Sequence, residues 1–156
     1  MKADTRLKKS AARLYAVQAL FQMEALGASA DRVAREFETH RFGADMGGAE
    51  LAEGHVDLFR RITSEAVVHQ ARIDQMTDRA IVARWTIDRI DPTLRALFRA
   101  AGAELVATDT PPRVVIAEYM DVAEAFYPEG REKGFVNAVL DHMAREARPE
   151  AFRGAF

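Results

Sequence analysis

Apolar residues recur at intervals of three and four along most of the chain, which is the spacing of one face of an α-helix. Polar and charged residues fill the positions between them. The one β-branched run, Val114-Val115-Ile116, lies inside such a helical pattern. Strict alternation of apolar and polar residues, which marks a half-buried strand, is not found in the sequence. The pattern predicts an all-α fold.

Capping and helix-breaking residues divide this pattern into helices. The strongest signals are Asp91-Pro92, a cap followed by proline at the first helical position, and Thr110-Pro111-Pro112, a break. The predicted helices run from Asp4 or Thr5 to Gly27, Ser29 to His40, Ala49 to Ile73, Asp74 to Val82, Trp85 to Ile90, Asp91 to Ala107, Arg113 to Phe126, and Arg131 to Glu146. We expect one domain over residues 1–148 and a flexible tail over 149–156.

Composition narrows the class of protein. The chain has 156 residues, of which 49% are hydrophobic, enough to form a core. No apolar run approaches the roughly 20 residues that span a bilayer, and the charged N-terminus lacks the apolar stretch of a secretory signal. The absence of cysteine excludes disulfides and thiolate zinc sites. We expect a cytoplasmic protein without a membrane segment.

Catalytic signatures are missing from the sequence. The four histidines, His40, His55, His69 and His142, are scattered without the spacing of a metal site. Neither a glycine-rich phosphate loop nor a GxSxG sequence occurs. We therefore expect no catalytic residue, no metal ligand and no cofactor.

The net charge of −2 conceals a cationic N-terminus. Residues 1–13 contain five basic residues and one acidic residue, whereas residues 24–53 contain seven acidic residues and three basic ones. On a helix, Lys2, Arg6, Lys9 and Arg13 share one face. Such a face can follow the phosphates of a nucleic acid. The alternative is a solvated helix end whose charges serve solubility.

A second cationic position begins the last predicted helix, at Lys133-Gly134-Phe135-Val136-Asn137. Three of the four lysines lie within the first nine residues, and Lys133 is the fourth. Phe135 lies at the edge of an apolar stripe. Its ring either packs in the core or remains half-exposed, where a nucleic-acid base could stack on it.

Three sequence blocks resemble the NusB family of transcription antitermination factors. They are RLYAVQALFQ from Arg13, WTIDRIDPTLRALFRAAGAEL from Trp85, and TPPRVVIAE from Thr110 followed by FVNAVLD from Phe135. The blocks occur in the order and at the spacing of the family. The chain departs from the family pattern at Ala117 and Ala138, where the family has asparagine and glycine.

The resemblance implies an all-α fold of about seven helices in two packed three-helix halves. It also implies a non-enzymatic role. Family members pair with NusE, a protein of the small ribosomal subunit, and the pair binds the boxA element of nascent RNA. That assembly joins the RNA polymerase antitermination complex in ribosomal RNA operons.

The resemblance also assigns residues to two surfaces. The RNA surface would comprise Lys2, Arg6, Lys8, Lys9, Arg13, Lys133, Phe135 and Asn137. The surface for NusE would involve the helix that begins at Asp91 and the loop before Arg113, with Asp91, Arg95 and Arg113 as candidates. If both groups of RNA residues act together, the N-terminal basic stripe and the start of the last helix should share one face.

Two other functions compete with this interpretation. A similar domain precedes the cofactor-binding domain of ribosomal RNA cytosine methyltransferases, although no glycine-rich cofactor loop follows here. A helical module that binds only protein is the other alternative, because Ser10, Ala11 and Ala12 dilute the basic cluster. The sequence leaves open whether the protein forms a homodimer.

Overall fold

The computed structural model describes residues 2–40, 53–82, 90–130 and 132–153, and every regular element in these ranges is helical. The elements are α1 (Lys2–Leu26), α2 (Ala30–His40), α3 (Glu53–Val68), α4 (Gln70–Val82), α5 (Pro92–Ala107), α6 (Pro112–Phe126), α7 (Lys133–Ala147) and a 3₁₀-helix (Pro149–Phe152). The prediction of an all-α fold with about seven helices is confirmed.

Helix α5 is the centre of the fold. One half of the molecule contains α1, α2 and α3, and α5 packs against α1 and α3 of this half. The other half contains α5, α6 and α7, with α4 packed on α5 and α7. An unbroken run from Ala96 to Leu105 is buried, because α5 is surrounded by helices on all sides. The expected arrangement of two packed halves agrees with this architecture.

Small residues let the neighbours of α5 approach closely. A Cβ atom added to Gly102 would lie 2.4 Å from Cγ2 of Ile73, which is too close for two carbon atoms that are not bonded to each other. Glycine at this position therefore allows α4 to pack directly on the backbone of α5.

Local capping chemistry explains where two helices begin. The Asp91 carboxylate accepts a hydrogen bond of 2.9 Å from the backbone N–H of Leu94, and Pro92 follows at the first helical position. The Ser29 hydroxyl accepts a bond of 3.2 Å from the N–H of Arg32 in α2. Both capping residues were predicted from the sequence.

The break between α3 and α4 differs from its predicted position. The sequence pattern placed it between Ile73 and Asp74, but the chain bends at His69. Val68, just before the bend, is 71% exposed, whereas Ile73 is completely buried. The bend ends the apolar stripe of α3 and turns Ile73 towards α5. The predicted glycine-rich loop and helical turn at residues 43–48 and 85–89 lie outside the described residues.

The predicted flexible tail from residue 149 is wrong for residues 149–153. Pro149–Phe152 form a 3₁₀-helix, and Phe152 is only 7% exposed. The guanidinium carbons of Arg145 and Arg113 lie 4.5 and 5.6 Å from the centre of its ring. Burial and cation–π attraction hold this segment against α6 and α7. None of the described helices combines the length and apolarity needed to cross a membrane.

Candidate nucleic-acid interface

A groove of about 480 Å³ lies between the start of α1 and the loop that precedes α6. Arg6 and Lys9, one helical turn apart on α1, are both exposed beside it. Its lining residues are Thr5, Arg6, Lys9, Arg13, Asp109, Thr110, Pro111, Val114 and Glu118. We call this feature the N-terminal cleft. It combines three of the predicted RNA-binding residues with the loop before Arg113.

A buried ion pair forms the floor of the N-terminal cleft. Arg13 is 4% exposed and Glu104 is fully buried. The Arg13 guanidinium donates hydrogen bonds of 2.7 and 3.0 Å to the two carboxylate oxygens of Glu104. The same carboxylate accepts bonds of 2.7 Å from the Tyr119 hydroxyl and 3.2 Å from the Thr110 hydroxyl. The network joins α1, α5, α6 and the loop before α6.

Electrostatics keeps Arg13 and Tyr119 each in one protonation state. Burial lowers the pKa of Arg13, but the hydrogen bonds and charge of Glu104 outweigh burial and raise it. Burial, followed by the charge of Glu104, raises the pKa of Tyr119 well above its usual value. Arg13 therefore remains cationic and Tyr119 remains a hydrogen-bond donor at neutral pH.

The prediction that Arg13 contacts RNA phosphates needs correction. Its side chain lies beneath the cleft, because the pairing with Glu104 draws it inward between α1 and α5. Arg13 is also 3.5 Å from Glu118, so it faces two carboxylates. Its role is to fix α1 on α5. Glu104 was missed in the sequence, although a lone carboxylate inside the apolar stretch AAGAELV signals a need for a cationic partner.

An acidic side chain borders the same cleft. Glu118 has 17% of its side chain exposed, and its second oxygen accepts a bond of 2.9 Å from the Ser10 hydroxyl. The bonds from Ser10 and Arg13 hold this carboxylate in place on α6. The cationic part of the cleft is therefore confined to the α1 side, at Arg6 and Lys9.

The other predicted RNA residues lie at the far end of α6. The Lys133 ammonium is 3.2 Å from the Glu124 carboxylate. Val114, which borders the N-terminal cleft, precedes Glu124 by ten residues, or about 15 Å of helix. Both groups therefore border α6, at opposite ends, and do not adjoin each other.

Phe135 and Asn137 differ in exposure. Phe135 is half-buried, and its ring meets Phe98 of α5 edge-on with 6.2 Å between the ring centres. This contact gives Phe135 a packing role. Asn137 is exposed one turn or less further along α7. The sequence left both a core and a stacking role open for Phe135, and the structure shows the core contact.

The residues predicted for the NusE surface are spread along α5 and α6. Asp91 begins α5, and its carboxylate accepts bonds of 2.7 and 2.8 Å from the Tyr127 hydroxyl after the end of α6. Arg95 follows one turn later on α5. Arg113 is at the opposite end of α6, about 20 Å from Tyr127 by helix length. Asp91 and Arg113 therefore lie at opposite ends of α6, and the assignment of Asp91, Arg95 and Arg113 to a NusE surface stays a prediction.

A second groove, of about 320 Å³, lies near the start of α5 and is lined by Val17, Gln18, Phe21, Gln22, Phe37, Thr93 and Phe126. Phe21 is 38% exposed, an unusual position for a phenylalanine ring. The buried side-chain oxygens of Gln18 and Gln22 accept no hydrogen bond from any described residue. These two oxygens have almost no accessible surface, so the exposed part of the groove is formed mainly by its apolar lining and the Phe21 ring. We call this feature the α5-start groove.

The sequence profile of the NusB family matches residues 10–145. Transcription antitermination protein NusB of Maricaulis maris (strain MCS10) is 47% identical over 148 residues, which cover 94% of this chain and 91% of that protein. This relative has a role in transcription and is not an enzyme, as expected from the sequence.

Solved structures share the architecture. The structure of T. maritima NusB superposes with a TM-score of 0.73 at 26% identity, covering 92% of this chain and 96% of that chain. A crystal structure of the antitermination factors NusB and NusE in complex with double-stranded RNA contains a chain that superposes with a TM-score of 0.70 at 21% identity, covering 89% and 97%. The profile match, the identity to the curated relative and the fold agree: the chain belongs to the NusB family.

Proposed function

We propose that the protein binds the boxA element of ribosomal RNA transcripts together with NusE and so acts in the RNA polymerase antitermination complex. The observation that carries this proposal is the N-terminal cleft, where Arg6 and Lys9 are exposed above an ion pair that fixes their helix. A protein of the same fold occurs with NusE and RNA in a solved complex, which supports the choice of ligand.

Arg6 and Lys9 supply the phosphate contacts in this proposal. Their charged groups lie one turn apart on a helix that cannot rotate, because Arg13 ties it to Glu104. Lys2 and Lys8, on the same helix, add positive charge to the surrounding field. The affinity should therefore fall steeply with salt, as expected when phosphate contacts release counterions.

The start of α7 forms the second contact for RNA in the proposal. Lys133 and Asn137 are exposed there, about 15 Å from the N-terminal cleft along α6. The segment of α6 between the N-terminal cleft and the start of α7 carries the acidic residues Asp121 and Glu124. An RNA strand that contacts both the N-terminal cleft and the start of α7 would therefore pass beside this acidic segment, with its phosphates directed away from the carboxylates. Phe135 would support Lys133 and Asn137 mainly through its packing on Phe98.

NusE would occupy the α5-start groove. Phe21 offers an exposed ring beside an apolar groove, which is the kind of pocket that anchors a partner's side chain in protein interfaces. Thr93 at the start of α5 lines this groove, whereas Arg113 lies at the other end of α6 from Phe126.

Titration of fluorescent boxA RNA at two salt concentrations, with and without NusE, tests the proposal. We expect weak binding alone and tighter binding with NusE. Arg6→Ala combined with Lys9→Ala should lower affinity and reduce the salt slope by about 1.4, since each lost contact to a single strand contributes about 0.7. Arg32→Ala combined with Arg35→Ala removes the same charge from α2 and serves as the matched control.

Separate outcomes would contradict separate parts of the proposal. Equal losses for the two double variants would mean that net charge matters and the cleft does not. NusE binding without RNA binding would indicate a module that binds only protein. Loss of the NusE enhancement in Phe21→Ser, with RNA binding alone unchanged, would support the α5-start groove as the partner surface.

A further inference from the structure

Arg148, directly after α7, binds the backbone at the end of α5. Its Nε donates a hydrogen bond of 2.8 Å to the carbonyl of Leu105, and one Nη donates a bond of 2.6 Å to the carbonyl of Thr110. The other Nη donates to the carbonyls of Glu104, at 2.8 Å, and Thr108. One side chain thus joins the last turn of α5 to the loop before α6.

The geometry of the arginine side chain explains how Arg148 can bind four carbonyls at once. The final carbonyls of a helix lack a partner within the helix, and Leu105 in the last turn of α5 is one of them, whereas the Glu104 carbonyl also accepts a bond from the Thr108 N–H. A guanidinium group carries five N–H donors in a fixed planar fork, whereas a lysine ammonium is a compact charge on a flexible stem. Arginine can therefore hold several carbonyls of the α5–α6 connection in one geometry.

The connection held by Arg148 is also a wall of the N-terminal cleft. Asp109, Thr110 and Pro111 line the cleft opposite Arg6 and Lys9. The carbonyl of Thr110 accepts a bond from Arg148, while its hydroxyl donates to Glu104, which forms the cleft floor together with Arg13. The position of this wall thus depends on a residue that follows α7.

We propose that Arg148 is a positioning residue for RNA binding: it fixes the wall formed by residues 109–111 without touching RNA. This inference rests on the proposed function of the cleft. Arg148 is half-buried, and four of its five N–H donors are used by carbonyls. Its effect on RNA is therefore exerted through the wall and not through its charge.

The test compares four full-length variants: Arg148→Gln, Arg148→Lys, Arg153→Gln and Lys9→Ala. Circular dichroism first establishes a temperature at which all are folded. Fluorescent boxA RNA is then titrated at two salt concentrations, and hydrogen exchange is measured on residues 108–110 of the free proteins. Arg153, exposed just beyond the 3₁₀-helix, is the control for loss of a nearby positive charge.

We expect both Arg148 variants to bind RNA about tenfold more weakly, because ordering even one loop residue costs about the 1.4 kcal/mol of a tenfold change. Their salt slope should equal that of the wild type, exchange at residues 108–110 should accelerate, and Arg153→Gln should change nothing. Lysine preserves the positive charge but not the planar fork of donors, so Arg148→Lys still tests the positioning role if Arg148→Gln fails to fold.

Three results would overturn the inference. The first is wild-type affinity in Arg148→Lys. The second is a salt slope lowered by about 0.7 in either Arg148 variant, because that would indicate a direct phosphate contact. The third is unchanged hydrogen exchange at residues 108–110. Lys9→Ala separates this inference from the proposed function. If Lys9→Ala leaves affinity and slope unchanged, the cleft is not the RNA site; if only the Arg148 variants behave like wild type, the positioning role alone fails.

Discussion

Replacing Arg13 by methionine should destabilise the protein far more than replacing Lys9, although both were predicted to contact RNA. Methionine has a similar length and can fill part of the space, but it leaves the Glu104 carboxylate buried without its cation. Because Glu104 is fully buried, water cannot replace the lost cation in stabilising the charge of its carboxylate. The experiment therefore measures whether Arg13 belongs to the core or to the RNA surface.

The structure sets the size of this effect. Breaking a buried ion pair by removing one partner costs about 3–5 kcal/mol. Tyr119 and Thr110 still donate hydrogen bonds to Glu104, so we expect the lower limit of about 3 kcal/mol. For a chain of this length, that change in the free energy of unfolding corresponds to a fall in Tm of roughly 6–12 °C. Lys9→Met, at an exposed position, should change the free energy by less than about 0.5 kcal/mol.

Urea unfolding followed by circular dichroism gives both free energies. A double variant, Arg13→Met with Glu104→Gln, removes the buried charge while retaining an acceptor for Tyr119. It should therefore be more stable than Arg13→Met alone. The reasoning is refuted if Arg13→Met costs less than about 1 kcal/mol, or if the double variant is the less stable of the two.

Three further predictions concern the stability of the fold at two glycines and at Tyr119. Gly102→Ala should cost about 1–3 kcal/mol, because its Cβ would overlap Ile73, and thermal melting should show the loss. Gly134→Ala, where a Cβ meets nothing within 4 Å, should instead be neutral or stabilise α7 by up to about 1 kcal/mol; equal losses at both glycines would contradict the packing argument. Because the pKa of Tyr119 is raised in the folded state, the unfolded chain ionises first, and stability should fall as pH rises above about 10. Tyr119→Phe should weaken that dependence, as measured by urea midpoints at pH 8 and 10.5; an unchanged dependence would refute the assignment.

Local chemistry made much of the fold predictable. The start of α5 was predicted correctly because a cap at Asp91 and a proline at Pro92 act through neighbouring residues alone. The break at His69 was not, since it depends on how Ile73 packs against a helix that comes later in the chain. The ordered segment around Phe152 was missed for the same reason, because its stabilising arginines come from α6 and α7.

Helical periodicity predicted which side of α1 is cationic, but not how deep each residue lies. Arg6, Lys9 and Arg13 share one face, and only the crossing of α5 and α6 over the later turn buries Arg13. The carboxylate that decides its role, Glu104, is 91 residues away in sequence. A contact at that separation follows from the packing of helices, which the spacing of apolar residues does not specify.

The bond network of Arg148 has a consequence for the order of events during synthesis. Arg6 and Lys9 leave the ribosome before Arg148, which follows the last of the seven α-helices in the described part of the chain. Synthesis proceeds from the N-terminus, so the early segments of a domain emerge before its last ones. A nascent chain would therefore present its cations before the opposite wall of the cleft is fixed. Tight RNA binding would begin only when synthesis has passed Arg148, so that chains extended beyond this residue compete for RNA and shorter nascent chains do not.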